Sequence, residues 1–85
     1  MIEFDPDKDR QNITKHGISL TRAGDMDVRG FASSHRHAEA RSRAYGIIDG
    51  RWYCLIYTVR ADALRAISLR RAHDDEVFRY VEKEN

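Results

Sequence analysis

The sequence predicts an α+β domain: two N-terminal helices, a small antiparallel sheet of three to four strands, and a closing C-terminal helix. Three observations carry this reading. Helix starts and stops punctuate the first third of the chain, with Asp5-Pro6 before one polar segment, Gly17 after it, and Ser19 opening the next. Strand-like runs fill the second half, and Asp49-Gly50 and Ala61-Asp62 separate them as tight turns. An acidic triplet, Asp74-Asp75-Glu76, then opens a last helical segment. That order puts helices against a small twisted sheet.

Taken in order, Ile2 to Phe4 reads as a short edge strand. The first helix runs from about Pro6 to Lys15. Asp5 suits its N-cap, Pro6 its first position, and Gly17 the left-handed residue past its end. Between these signals Ile13 is the only apolar residue, although a surface helix normally buries an apolar stripe. The residues that recur on one side are polar instead: Lys8, Asn12, Lys15 and His16.

Ser19 is the expected N-cap of a second helix, with Ile18 and Ala23 as a hydrophobic staple; Leu20, Ala23 and Val28 form its apolar side and Gly30 ends it. Phe31 to Ser34 reads as a short strand, and the polar stretch from His35 leads as a loop into a strand over Arg43 to Ile48. Asp49-Gly50 fits a type I′ hairpin turn. Arg51 to Arg60 is apolar and aromatic on both faces, the pattern of a central strand covered on both sides. Ala63 to Arg71 returns as a further strand, and the last helix extends to about Lys83, with Val77, Tyr80 and Val81 on its apolar side.

A chain of 85 residues makes one small domain that buries only about 60–65% of its unfolded surface. The apolar share of 41% and the single Pro argue against disorder. The lone Cys54 excludes an internal disulfide, and its apolar strand context points to an inert buried thiol. No apolar segment precedes the first helix, so a cytoplasmic protein without a membrane span is expected.

The net charge of +1 conceals an asymmetry: residues 29–73 hold nine Arg against the acids Glu39, Asp49 and Asp62, while the flanking segments are acidic. Arginine presents a planar fork of donors suited to phosphate. The bland alternative is a solvated sheet face whose Arg stems cover apolar surface.

No Cys/His spacing matches a zinc site, no acidic cluster suits magnesium, and no Gly-rich phosphate loop or nucleophile motif is present, so neither metal nor cofactor is expected. Strict alternation along Ala63–Arg71 puts Leu64, Ala66, Ser68 and Arg70 on one face and Arg65, Ile67, Leu69 and Arg71 on the other. An Arg at that strand end, beside a helix carrying Lys8, Lys15 and His16, would form a composite cationic site. Metal-free RNA cleavage needs a base for the 2′-hydroxyl, cations for the phosphorane and an acid for the leaving oxygen. Lys8, Lys15, His16, Arg70 and Arg71 are the candidate catalytic residues, and Asn12, Arg41 and Arg65 the candidate RNA contacts. His37 or His73 could replace His16. The alternative for Asn12 and His16 is structural: at i, i+4 they would hydrogen-bond the sheet edge and dock a helix that lacks an apolar stripe. Arg70 has its own alternative, an ion pair with an acid such as Glu39 or Asp5.

At these residues the chain resembles a known family. Phe4-Asp5, Lys8, Asn12 and Lys15-His16-Gly17-Ile18-Ser19, with Tyr45-Gly46, Leu55-Ile56-Tyr57-Thr58 and Ile67-Ser68-x-Arg70-Arg71-Ala72, are similar to the BrnT toxins over nearly the whole length. The resemblance implies a RelE-like fold and a ribonuclease that arrests translation, with a possible ribosome contact. It further implies neutralisation by a BrnA-like ribbon-helix-helix antitoxin, through which alone operator DNA would be contacted. It maps the family's polar motif to Lys8, Asn12, Lys15 and His16, and its strand-end arginine to Arg70. The chain departs from the pattern at Phe4, where many members have Trp, and in the short stretch from Met26 to Ala44, where Asp27-Val28-Arg29-Gly30-Phe31 replaces an acidic-aromatic run. The alternative is a catalytically inactive toxin homologue that acts as an antitoxin-binding corepressor.

Overall fold

The computed structural model describes residues 2–34 and 41–82; His35, His37, Glu39 and Lys83 lie outside them. Its elements are β1 (Ile2–Glu3), α1 (Pro6–His16), a 3₁₀ turn (Leu20–Asp25), β2 (Asp27–Ser34), β3 (Arg41–Ile48), β4 (Arg51–Arg60), β5 (Ala63–Arg71), and α2 (Asp74–Val77), which continues as a π-helical segment (Phe78–Glu82). The strands form one mixed sheet of five in the order β1-β5-β4-β3-β2.

Two expectations about architecture are therefore corrected. The sheet has five strands, not three or four, because β1 joins β5 in parallel, Ile2 against Leu64 and Glu3 against Arg65. A two-residue strand carries too little periodicity to reveal its pairing. The expected second helix is a single 3₁₀ stretch. Ser19 does cap it, accepting from the Thr21 N–H, but the backbone is already extended at Met26. The following residues enter β2 and pair with β3 from Asp27↔Ile47 to Ser34↔Arg41. Those ladder bonds satisfy the outer edge of β3, which local helix propensity could not do. Val28, assigned in the sequence to a helix core, is exposed on this edge strand.

Both hairpin turns are left-handed, which suits Asp49, Gly50 and Asp62 but not Ala61. Asp49 and Gly50 both have positive φ, as do Ala61 and Asp62. This is the geometry that suits the right-handed twist of the strands. In α1 the Asp5 carboxylate accepts from the Asp7 N–H at 2.8 Å, and Gly17, at φ 71°, donates its N–H to the Ile13 carbonyl.

One face of the sheet carries the main core: Ala44, Ile48, Leu55, Ala66 and Leu69 pack with Ile18, Leu20 and Ala23, and Tyr53, Tyr57 and Leu64 border them. The other face carries a smaller cluster, Tyr45 and Cys54 beneath Val77 and Val81, with Trp52, Ile56 and Tyr80 alongside. The C-terminal segment thus covers only part of this second face. It approaches very closely at Gly30, where a Cβ would stand 2.6 Å from the Tyr80 carbonyl oxygen.

A bulge in β5 sets which side chains reach which face. Ala66 pairs with Tyr57 and Ser68 with Ile56, so Ile67 is an extra residue. The alternation shifts there by one. Leu64, Ala66, Leu69 and Arg71 share the main-core face, while Arg65, Ser68 and Arg70 share the second. Among the described residues no helix is long and apolar enough to cross a membrane.

Candidate active site

Helix α1 is held to the sheet by a polar side chain. Asn12 is buried, and its amide nitrogen donates to the carbonyls of Leu69 (2.8 Å) and Ile18 (2.9 Å), while its amide oxygen accepts from the Leu69 N–H (3.0 Å). β1 pairs with β5 only as far as Arg65, so the edge beyond it is open, and Asn12 serves there as a surrogate strand residue. Asp9 secures the next turn, its Oδ1 accepting from the Leu20 N–H (2.7 Å) and the Ser19 hydroxyl (2.9 Å). Asn12 therefore takes the docking role, as does Asp9, and an apolar stripe is not needed.

Around that anchor lies an open pocket lined by Lys8, Gln11, Asn12, Lys15, His16, Ile67 and Ser68. The structure thus brings together Lys8, Lys15 and His16 as the sequence expects, with Ser68 as their sheet neighbour. Arg70 does not line this pocket. Ser68 is the link between the two regions, because it lines the pocket yet sits on the second face beside Arg70.

The second face gathers four arginines. Arg43, Ile56 and Ser68 form one row across β3, β4 and β5; Tyr45, Cys54 and Arg70 form the next. On the other side of the first row, Thr58 lies beside Arg65, and Ser42↔Tyr57 places Arg41 one step along β3 on the same face. Arg41, Arg43, Arg65 and Arg70 thus share a surface that the C-terminal helix leaves partly open. The Nε atoms of Arg41 and Arg43 and the Thr58 hydroxyl are shielded from solvent without a hydrogen-bond partner. Arg71 points to the opposite face, with its guanidinium 5.7 Å from the Tyr53 ring centroid. It does not share the face of Arg70.

Arg70 is engaged by a residue outside the sequence-based candidates. Its Nη1 and Nη2 donate to the two carboxylate oxygens of Glu76 at 2.7 and 2.9 Å. The Tyr45 hydroxyl donates to Glu76 Oε2 at 2.8 Å, the His73 N–H to Oε1 at 3.1 Å, and Arg43 Nη1 approaches Oε2 at 3.9 Å. Hydrogen bonds from Arg70, opposed by partial burial, hold the Glu76 carboxyl at a pKa of about 2. The same carboxylate raises the Arg70 guanidinium, and burial raises the Tyr45 phenol. Tyr45 stacks on Tyr80 at 5.3 Å, and Arg43 lies 5.0 Å from the Tyr80 ring centroid. Hydrogen bonding to Arg79 and then Arg43 lowers the Tyr80 phenol. Cys54, beneath this network, is free and buried, and desolvation raises its thiol.

Sequence reasoning missed Arg43, Tyr45, Tyr80 and Glu76 as site residues. Arg43 was findable, since it stands two positions from Arg41 in one strand and so on the same face. Glu76 was not, because its partners Arg70 and Tyr45 come from two different strands.

A sequence profile described as the ribonuclease toxin BrnT of type II toxin–antitoxin systems matches residues 4–76. The chain belongs to the BrnT family. The crystal structure of the Brucella abortus ribonuclease toxin BrnT is similar, with a TM-score of 0.65 and 28% sequence identity over 86% of this chain and 96% of that one. No curated protein matches the chain. BrnT membership makes this a ribonuclease toxin of a type II toxin–antitoxin system, for which an antitoxin partner is expected. The matched span includes α1, strands β2 to β5 and Glu76, whereas β1, Arg79 and Tyr80 lie outside it.

Proposed function

We propose that this BrnT-family protein cleaves messenger RNA on the arginine-bearing face of its sheet and so arrests translation, without a metal ion. The carrying observation is the shared face of Arg41, Arg43, Arg65 and Arg70, which among the described residues a short helix partly overlies. Guanidinium forks at successive positions suit the phosphates of a single RNA strand. In this reading Arg41, Arg43 and Arg65 hold flanking phosphates, and Arg70 stabilises the charge that builds on the phosphorane when the 2′-hydroxyl attacks. One such positioned charge is worth roughly 10²–10³ in rate.

A strand that crosses the β5 edge at Ser68 reaches the α1 pocket, where His16 transfers protons and Lys8 and Lys15 bind the next phosphate. Asn12 contributes by holding α1 in place. The inhibitory partner is a BrnA-like ribbon-helix-helix antitoxin, through which operator DNA is bound.

The test is RNA cleavage by purified protein, with and without ribosomes and with a chelator present. Arg70→Ala is expected to lower cleavage at least 10²-fold while the variant still melts cooperatively, and His16→Ala to lower it with a changed pH profile. RNA left intact by the wild-type protein under all these conditions sinks the reading. That outcome would favour an inactive homologue that serves as a corepressor, a reading supported by the occupation of Arg70 by Glu76.

A further inference from the structure

We propose that Glu76 is an internal plug: its carboxylate occupies the oxyanion position at Arg70 that an RNA phosphate takes, and RNA binding lifts the Asp74–Glu82 segment off the sheet. The inference rests on the reading of this face as the RNA surface. Five donors converge on the Glu76 carboxylate: two from Arg70, the Tyr45 hydroxyl, the His73 N–H and, at 3.9 Å, Arg43. Such a set is suited to an anion with more oxygens than a carboxylate offers, and phosphate and carboxylate take the same guanidinium fork. With Glu76 in place, both terminal nitrogens of Arg70 are already committed, so a phosphate cannot use that fork.

The segment that carries Glu76 is built to move. It has one short α-helical stretch and then a π-helical one, a conformation that is rare and concentrated at functional sites. Helices this short have little stability of their own. Val77 and Val81 are its buried anchors, while Phe78 is 60% exposed. Arg41 and Arg65, partly exposed on the same face, give RNA a first foothold before the plug leaves, whereas Arg43 is held against Tyr80 until it does. Displacement then exchanges one anion for another on Arg70 and releases the Glu76 carboxylate to solvent.

Trp52, the single tryptophan, packs in the apolar cluster under Val77 and Val81 and reports on this step. The wild-type protein is titrated with a 2′-O-methyl RNA oligonucleotide, which binds but lacks the attacking hydroxyl. Trp52 emission is expected to shift to the red as the oligonucleotide saturates. Glu76→Gln is expected to show that shift without RNA, to bind the oligonucleotide roughly tenfold more tightly, and to cleave RNA at least as fast as the wild type. The proposal is overturned if wild-type emission stays unchanged at saturation, a result that does not depend on the variant's folding. It is equally overturned if Glu76→Gln melts normally but cleaves more slowly, since Glu76 would then orient Arg70 and not block it. Cleavage unchanged by Arg70→Ala removes instead the reading of the face itself.

Discussion

A single amide, that of Asn12, closes both backbone groups of Leu69 and the carbonyl of Ile18 at an otherwise open sheet edge. Truncation to Ala leaves these groups buried and unpaired, so Asn12→Ala is expected to cost about 2–4 kcal/mol in urea unfolding. Cleavage by the remaining folded protein should change little, which separates a docking residue from one that contacts substrate. Glu76 makes the opposite kind of contribution, an electrostatic one. Its pKa is depressed from 4.5 to about 2, so the unfolded chain binds more protons than the native one between those values. The stabilisation is therefore complete above the unfolded pKa and is lost as pH falls through about 2, with a size on the order of 3 kcal/mol. Thermal melts from pH 6 to pH 2 should show this slope in the wild type and a shallower one in Glu76→Gln.

Among the elements, α1 and the C-terminal helix attach to the sheet by different means. The first relies on the Asn12 amide at the sheet edge, with the Asp9 carboxylate accepting from the turn that follows, and holds an exposed cationic row beside Ser68. The second relies on a few apolar contacts, one ion-pair network and close backbone approach at Gly30. A methyl group at Gly30 would press on the Tyr80 carbonyl and the Val81 side chain, 2.6 and 3.0 Å away. Gly30→Ala is expected to push the C-terminal helix outward and to destabilise the protein by about 1–3 kcal/mol. Amide exchange should locate the loss of protection in Val77–Glu82 and leave β4 and β5 protected; uniform loss across the sheet would show that the helix and sheet form one cooperative unit.

At the scale of the whole molecule, the basic middle segment folds into a sheet that places Arg41, Arg43, Arg65 and Arg70 on one face, and the acidic C-terminal segment covers part of that face. Binding of single-stranded RNA should weaken steeply with salt, and loss of one phosphate contact should reduce the log–log slope by roughly 0.7. Arg41→Ala and Arg65→Ala are each expected to do this in a salt titration, whereas Arg71→Ala, on the other face, should leave the slope unchanged. Much of this arrangement is legible in the residues. The caps of α1, the turn at Asp49-Gly50 and the runs of β4 and β5 follow from local chemistry, because each depends on groups a few positions apart; for Asn12 the absent apolar stripe leaves docking and RNA contact both open. The placement of the cations does not follow from local chemistry. Strict alternation in β5 misassigns Arg65 and the residues beyond it relative to one another, because the extra residue at Ile67 changes the parity, and a bulge is decided by how β4 and β5 pair. The same holds for the first half of β2, residues 27–30, which read as a helix end in the sequence and become strand by pairing with β3. The sequence by itself determined α1, the strands β3 to β5, the family likeness and the supply of phosphate-binding groups, since these reside in short-range patterns. Only the tertiary structure decided that Lys15 and His16 meet Ser68 at an edge while Arg70 faces Glu76, since side-chain direction in a sheet depends on register, and register is a property of paired strands.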